Sequence, residues 1–400
     1  MKIPRLPVFS LASIMDVRRF FADLISAFNR FLYGLKRKLA GGHYTKKQEV
    51  EEIPQILPNK TVEKSLAWVF ACDEEVKQIL SADENLLVGC KRKVYLLDRK
   101  TGDIEMEYEL DTPLTGVAFN AGNFFLFLKD EVICFSPNFS PRWKRALRCD
   151  DYLIDDYRVF LHDSFTHRIC CLSRFDGEEI WSKRPILFFN FYDWAQDRDN
   201  IYIFGGRWVQ ALSKEDGHQI WRYDRGDWSI TKGACGEDVL YVYDCFYDFL
   251  FCLDKEGKKL WEYFFRRLGF DFIDRPIGQE GSLKASLLPL GKGVFVAAGG
   301  EVCLLRDNGE VIWHTRRNLE LARMPFPQYS PVFYNKGEKF LYFMVNMYVE
   351  DWEVYRVRIS NGEMDKILES PFLSSINADE RCLYLGTRNG GVYALYKVAL

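Results

Sequence analysis

Five histidines and eleven cysteines are the residues of this 400-residue chain best suited to metal or nucleophilic chemistry. The histidines are His43, His162, His167, His218 and His314. His162 and His167 flank Asp163, a spacing that two ligands of one metal could have. No third ligand stands near them, and the phrase from Leu161 to Ile169 reads as a hairpin with a polar turn. No two cysteines have C-x-x-C spacing, and there is no G-x-S-x-G, Walker loop or G-x-G-x-x-G. The expectation is no catalytic residue, no metal and no cofactor. Most cysteines sit in apolar alternating runs, such as Val302-Cys303-Leu304-Leu305, where a free thiol behaves as a small buried hydrophobe. That pattern points to a reducing compartment.

The elements that would position any site repeat along the chain. An alternating apolar strand is followed by a glycine turn and, four residues after the glycine, by a large side chain. Clear copies are Ile169-Cys170-Cys171-Leu172 with Gly177 and Trp181, and Val209-Gln210-Ala211-Leu212 with Gly217 and Trp221. Others are Phe251-Cys252-Leu253-Asp254 with Gly257 and Trp261, and Val302-Cys303-Leu304-Leu305 with Gly309 and Trp313. The anchor positions are Trp68, Met106, Trp143, Trp181, Trp221, Trp261, Trp313 and Lys366, with gaps of 38, 37, 38, 40, 40, 52 and 53. A period near 40 with two-residue alternation is that of a β-propeller with four strands per blade. The chain ends in two strands without a tryptophan strand, and Trp68 has no strands before it. Joining the termini completes one blade and leaves no open edge. The fold expected is all-β, an eight-bladed propeller over 61–400 closed by N- and C-terminal strands. A count of seven follows if the Lys366 copy is not a repeat. Each tryptophan is expected to pack between blades with its indole N–H bonded nearby.

Phrases such as VQALSKEDGHQIWRYDRG and LFCLDKEGKKLWEYF resemble the tryptophan-docking repeats of quinoprotein alcohol dehydrogenase-like propellers. The resemblance covers about 61–400. It implies the propeller fold and either of two functions, because the family holds quinone-dependent dehydrogenases and non-enzymatic scaffolds such as the barrel-assembly lipoprotein. The enzymes use pyrroloquinoline quinone, Ca²⁺ and often a vicinal disulfide. Cys170-Cys171 is vicinal but lies inside a repeat strand, where successive residues face opposite sides. No local acidic loop supplies calcium ligands. The enzyme residues of the family therefore do not carry over, and the expectation is a non-enzymatic scaffold. The alternative is a quinone-type dehydrogenase with a site in the central channel.

Charge divides the chain. Residues 1–47 hold ten Lys and Arg against Asp16 and Asp23, a net of +8, which leaves −11 on the remainder. Within 1–42 the apolar spacing predicts an amphipathic helix over 13–39. Its apolar face carries Phe21, Leu24, Phe28, Phe31, Leu32 and Leu35, and Lys36, Arg37 and Lys38 occupy the last turn, where cations suit the helix dipole. Such a helix packs against protein or lies on an anionic membrane surface. A polar, proline-punctuated linker over 43–60 follows. No run of 18 apolar residues predicts a membrane span, and Leu6–Met15 lacks a small-residue cleavage site, so the location expected is cytoplasmic or peripheral at a membrane. No nucleic-acid partner is expected of an acidic body.

In each blade the D–A and B–C loops emerge at one end and the C–D turns at the other. The two long gaps place insertions in the D–A loops at 264–281 and 316–328. They carry Arg266, Arg267, Arg316 and Arg317, while Arg184 and Arg225 follow other D strands. The B–C turns add Arg207, Trp208, Trp352 and Arg388. Arginine and aromatic residues dominate interface hot spots, so a protein partner is expected on this face. Deleting 1–47 should leave the thermal melting of the propeller unchanged and release the protein from its membrane or partner fraction. A truncated protein that fails to fold would place the arm in the core instead.

Overall fold

Two-residue alternation builds strands, and strands fill the structure. This computed structural model describes residues 66–184, 193–226, 230–244, 249–265, 285–298, 301–316, 328–329, 339–346 and 352–396. These residues form eight four-stranded antiparallel sheets. Seven are consecutive in sequence: blade 1 spans 76–109, blade 2 114–145, blade 3 151–183, blade 4 193–224, blade 5 230–264, blade 6 286–316 and blade 7 328–370. Blade 8 takes Leu373–Ala378, Cys382–Thr387 and Val392–Tyr396 as strands A, B and C, and Leu66–Phe70 as strand D. The count is eight and the termini share a blade, as the repeat predicts. The arm and linker expected over 1–60 lie outside the described residues.

A lone sheet has two apolar faces and cannot bury both, so neighbouring blades cover each other. The core is accordingly eight separate layers, one per joint. Phe125, Phe127 and Trp143 of blade 2 meet Val159, Leu161 and Cys170 of blade 3 in one of them. Cys171 lies in the next, with Trp181, Trp194 and Ile201. The vicinal cysteines thus face opposite sides of their strand.

Six of the eight joints are fastened by a D-strand tryptophan. Trp143 Nε1 donates to the Arg174 carbonyl at 2.9 Å, Trp181 to Lys214 at 2.9 Å, Trp221 to Lys255 at 2.6 Å and Trp313 to Ile359 at 2.6 Å. Trp68 closes the ring on the Arg99 carbonyl at 3.1 Å, and Trp261 donates to Asp307. The indole lies flat on the turn glycine of the next blade. At Gly217 (φ +70°) a Cβ would sit 2.7 Å from the Trp181 ring. Only glycine allows both that backbone angle and that approach.

The residue that accepts the indole also reaches back with its side chain. Lys214 Nζ bonds Asp155 at 2.9 Å in the A–B turn of blade 3, and Lys255 pairs with Asp197 of blade 4 at 3.3 Å. Arg99 pairs with Asp379 of blade 8 at 3.5 Å, and Arg174 bonds Asn120 of blade 2 at 2.8 Å. Asp155 also accepts the Tyr157 and Arg158 amides, so one carboxylate holds its own turn and the neighbouring blade. Burial opposes its ionisation, yet the Lys214 ammonium and the two amides hold its carboxyl below the ordinary carboxylate value.

A β-bulge precedes the tryptophan on every such D strand, at Ile180 in blade 3 and Ile220 in blade 4. It bends the outermost strand and blunts its open edge. Two joints lack tryptophan for visible reasons. The blade 2 turn that faces Met106 has no glycine and fills itself with Phe139, packed on Phe124 and Phe135. Blade 8 has no C–D turn at all, because that connection is where the termini meet. Facing it, Lys366 is not an anchor: it pairs with Glu353 and Glu369, and the bulge falls after it at Ile367. The buried residue beyond the bulge is Leu368.

Gly217→Ala should cost about 3 kcal/mol, from left-handed strain plus overpacking against Trp181. Gly291 has φ +55° but open space around it, so Gly291→Ala should cost only about 1 kcal/mol. Urea unfolding of both variants measures the difference, and equal costs would mean that the indole does not need the glycine.

Candidate docking surface

Topology separates the two ends of the propeller. The A–B and C–D connections, and with them the joints, occupy one end. Lys214 and Lys255 look from the sequence like free charges on C–D turns whose reversal should do little. The structure corrects this: Lys214 is 3% exposed and bonded to Asp155, and Lys255 bridges to Asp197 and Gly236. Both belong to the joint.

The opposite end carries the sequence-selected residues that the structure describes. Arg207, Trp208 and Arg225 come together. Arg207 makes a two-pronged pair with Asp224 at 2.8 and 2.7 Å, and that guanidinium holds the Asp224 carboxyl down to about 2. It also stands over the Trp208 ring at 5.4 Å, and Arg222 covers the same ring at 5.5 Å. Arg225 donates its amide to the Arg207 carbonyl at 2.7 Å and lays its guanidinium over Phe249 of blade 5 at 5.0 Å. Phe249 in turn contacts Phe264, which is 57% exposed. Arg184 is exposed one residue beyond its D strand. Arg388 is exposed in the B–C turn of blade 8, with its amide bonded to the Phe372 carbonyl at 2.7 Å. Trp352 opens strand C of blade 7, half-buried, opposite Asn346 and Ser370. Arg184 and Trp352 share the end with the cluster but do not join it. Arg316 ends the strand Val311–Arg316. Arg266, Arg267 and Arg317 lie outside the described residues, as do the arm residues Phe21, Leu24, Phe28, Phe31, Leu32, Leu35, Lys36, Arg37 and Lys38.

Sequence reasoning missed Arg148, Arg222, Phe165 and Phe264 on this end. Phe165 is 77% exposed at the tip of the B–C turn of blade 3, under the Arg148 guanidinium at 5.4 Å. An aromatic among Asp163, Ser164 and Thr166 in a polar turn was the available signal. The same hairpin places His162 in its strand and His167 in its turn at φ 53°. His162 is buried, and burial pulls its imidazole down to about 4 despite Asp150 and Asp163 nearby.

The innermost strands bond to each other. Gln78 of blade 1 exchanges two bonds with Val117 of blade 2, at 3.1 and 2.9 Å, and Tyr152 of blade 3 donates to the same Val117 carbonyl at 2.8 Å. Gln196 reaches Ile154 at 2.7 Å, Asp193 accepts from Gly233 at 3.0 Å, and Asn377 reaches Ile79 at 2.6 Å. Burial pushes the carboxyls of Asp151 and Asp193 up. The described residues do not fit a pyrroloquinoline quinone site, because Cys170 and Cys171 face different layers and the channel side chains named above are bonded between blades. Among the described residues no group of three or more His, Cys, Asp or Glu could hold a metal ion.

Fold and joint together define a class: an eight-bladed propeller of tryptophan-docked repeats. Residues 205–364 match the family model described as outer membrane protein assembly factor BamB. That stretch resembles the PQQ repeats of the barrel-assembly lipoprotein, within a chain that is an eight-bladed propeller throughout its described residues. The crystal structure of BamB from Moraxella catarrhalis superposes with a TM-score of 0.59 at 14% identity, over 82% of this chain and 98% of that one. The computationally designed Ika8 protein gives a TM-score of 0.64 at 10% identity, over 83% of this chain and 99% of that one. Sqt1 from Saccharomyces cerevisiae gives 0.63 at 9% identity, over 83% and 98%. At such identities the solved structures share the fold alone. No curated protein sequence matches the chain.

His162 makes stability depend on pH. Its folded value near 4 lies below the unfolded value near 6.5, so the unfolded chain binds the extra proton. The stability it protects is complete above about pH 6.5 and is lost as pH falls towards 4, by up to about 3 kcal/mol. Urea midpoints at pH 7 and 4.5 should show that loss, and His162→Gln should shrink it. An unchanged loss in the variant would assign the effect to other groups.

Proposed function

We propose that this protein is a non-catalytic scaffold that docks a protein partner through its D–A/B–C end, with the basic N-terminal arm as a tether to an anionic membrane surface or a second partner. The observation that carries the reading is the Arg207, Trp208, Arg222 and Arg225 cluster at the border of blades 4 and 5. Guanidinium–aromatic stacks at a partly exposed rim are suited to a protein interface, where Arg and Trp contribute most. Two further observations support this end. The joints leave it free, and both long departures from the repeat period fall there. The matched family model is described as an assembly factor, which agrees with a scaffold. The thiol-rich, apolar-embedded cysteine pattern supports a reducing compartment for the body.

The double variant Arg184→Glu/Arg207→Glu should weaken binding of the native partner at least tenfold, about 1.4 kcal/mol. Loss of the Arg207–Asp224 pair should cost about 1 kcal/mol of stability, so binding is compared well below the melting temperature of each variant. Glu215→Lys/Glu256→Lys is the matching control, since both glutamates are exposed on C–D turns. Quantitative pull-down with each variant measures the effect. Loss of partner in the control with retention in the arginine variant would assign docking to the other end.

A further inference from the structure

The ring closes through the crossing from the last strand of blade 8 to the first strand of blade 1. That crossing is the segment 71–75, between Leu66–Phe70 and Val76–Ala82. Cys72 lies in it, partly exposed, and Cys90 ends strand B of blade 1, fully buried. Their sulfurs are 3.8 Å apart, across 18 residues of chain. The crossing is held where it is. The Arg92 amide donates to the Glu74 carboxylate at 2.6 Å, and Lys93 pairs with Asp73 at 3.4 Å. Behind it Gly390 packs so closely that a Cβ there would lie 2.1 Å from the Cys72 carbonyl oxygen. Two sulfurs in contact on a restrained segment need little movement to bond.

We propose that Cys72 and Cys90 form a reversible disulfide under peroxide, which locks the closing strand of the ring to the first blade. The Cys72 sulfur attacks one peroxide oxygen, and the departing hydroxide leaves as water, giving a sulfenic acid. The Cys90 sulfur then attacks that sulfur, forms the S–S bond and releases a second water. Two thiols lose two electrons in all, and one peroxide becomes two waters. The order of attack follows from the setting. Cys72 is the sulfur that solvent reaches, and the contact between the two sulfurs lowers the Cys72 thiol, while that contact and then burial raise Cys90. A dithiol reductant reverses the bond by exchange. The link would close a loop of 18 residues and pin the crossing 71–75, and with it the end of strand D of blade 8, to strand B of blade 1.

The test uses the full chain, reduced with dithiothreitol, desalted and treated with dilute hydrogen peroxide. Intact mass should fall by two hydrogens, and peptide mapping should find Cys72 joined to Cys90 before other thiols react. Dithiothreitol should restore the mass. Thermal melting of the oxidised protein should rise by a few degrees in wild type and stay unchanged in Cys72→Ser. The proposal fails if Cys72 is recovered as a sulfinic acid or an alkylatable thiol while other cysteines have oxidised, or if it is joined to a different cysteine.

Discussion

In blades 1, 3, 4 and 5 a single residue after the C strand does two things at once, and those joints depend on it. Lys214 offers its carbonyl to Trp181 and its ammonium to Asp155, both in the preceding blade. Neither bond alone would fix the angle between two sheets, since a tryptophan ring could slide and an ion pair could swing. Together they set a distance and a direction. The glycine beneath the ring removes the Cβ that would hold the blades apart. The apolar layer supplies most of the attraction, at roughly 25 cal/mol per Å² buried, but it is indifferent to orientation. The polar pair supplies what the layer lacks.

Variation in the joint follows the same logic. In blade 6 the accepting residue is Asp307, an acid where blade 5 has Lys255, and the A–B turn of blade 5 carries Gly236 where that of blade 4 carries Asp197. The bond still forms, now from the Tyr241 hydroxyl to the Asp307 carboxylate. Chemistry is exchanged and geometry is kept. Because the tryptophan joints are built at the A–B/C–D end, the other end can change in loop length and side chain without disturbing them. That is where Arg207, Trp208, Arg222 and Arg225 gather.

The tryptophans, the glycine turns and the shared closing blade were legible in the sequence because each has one physical cause with a fixed spacing. Lys366 was misread because counting four residues from Gly362 assumes the usual bulge, which here falls at Ile367. Lys214 and Lys255 looked solvated because a charge on a turn usually is, and only the neighbouring blade supplies their carboxylates. The D–A/B–C end was legible as a set of loops but not as a cluster. Arg207, Trp208 and Arg225 could be selected one by one, whereas Arg148 over Phe165 and Arg222 over Trp208 depend on contacts that no local pattern records.

Division of labour between the two ends is the claim on which the functional reading stands. Amide hydrogen exchange, compared between the free protein and its complex with the native partner, tests it directly. Binding should slow exchange at 206–208, 225–226 and 388 and leave the C–D turns at 214–217 and 255–257 unchanged. Slowed exchange in those turns, with no change around Arg207 and Arg388, would contradict it.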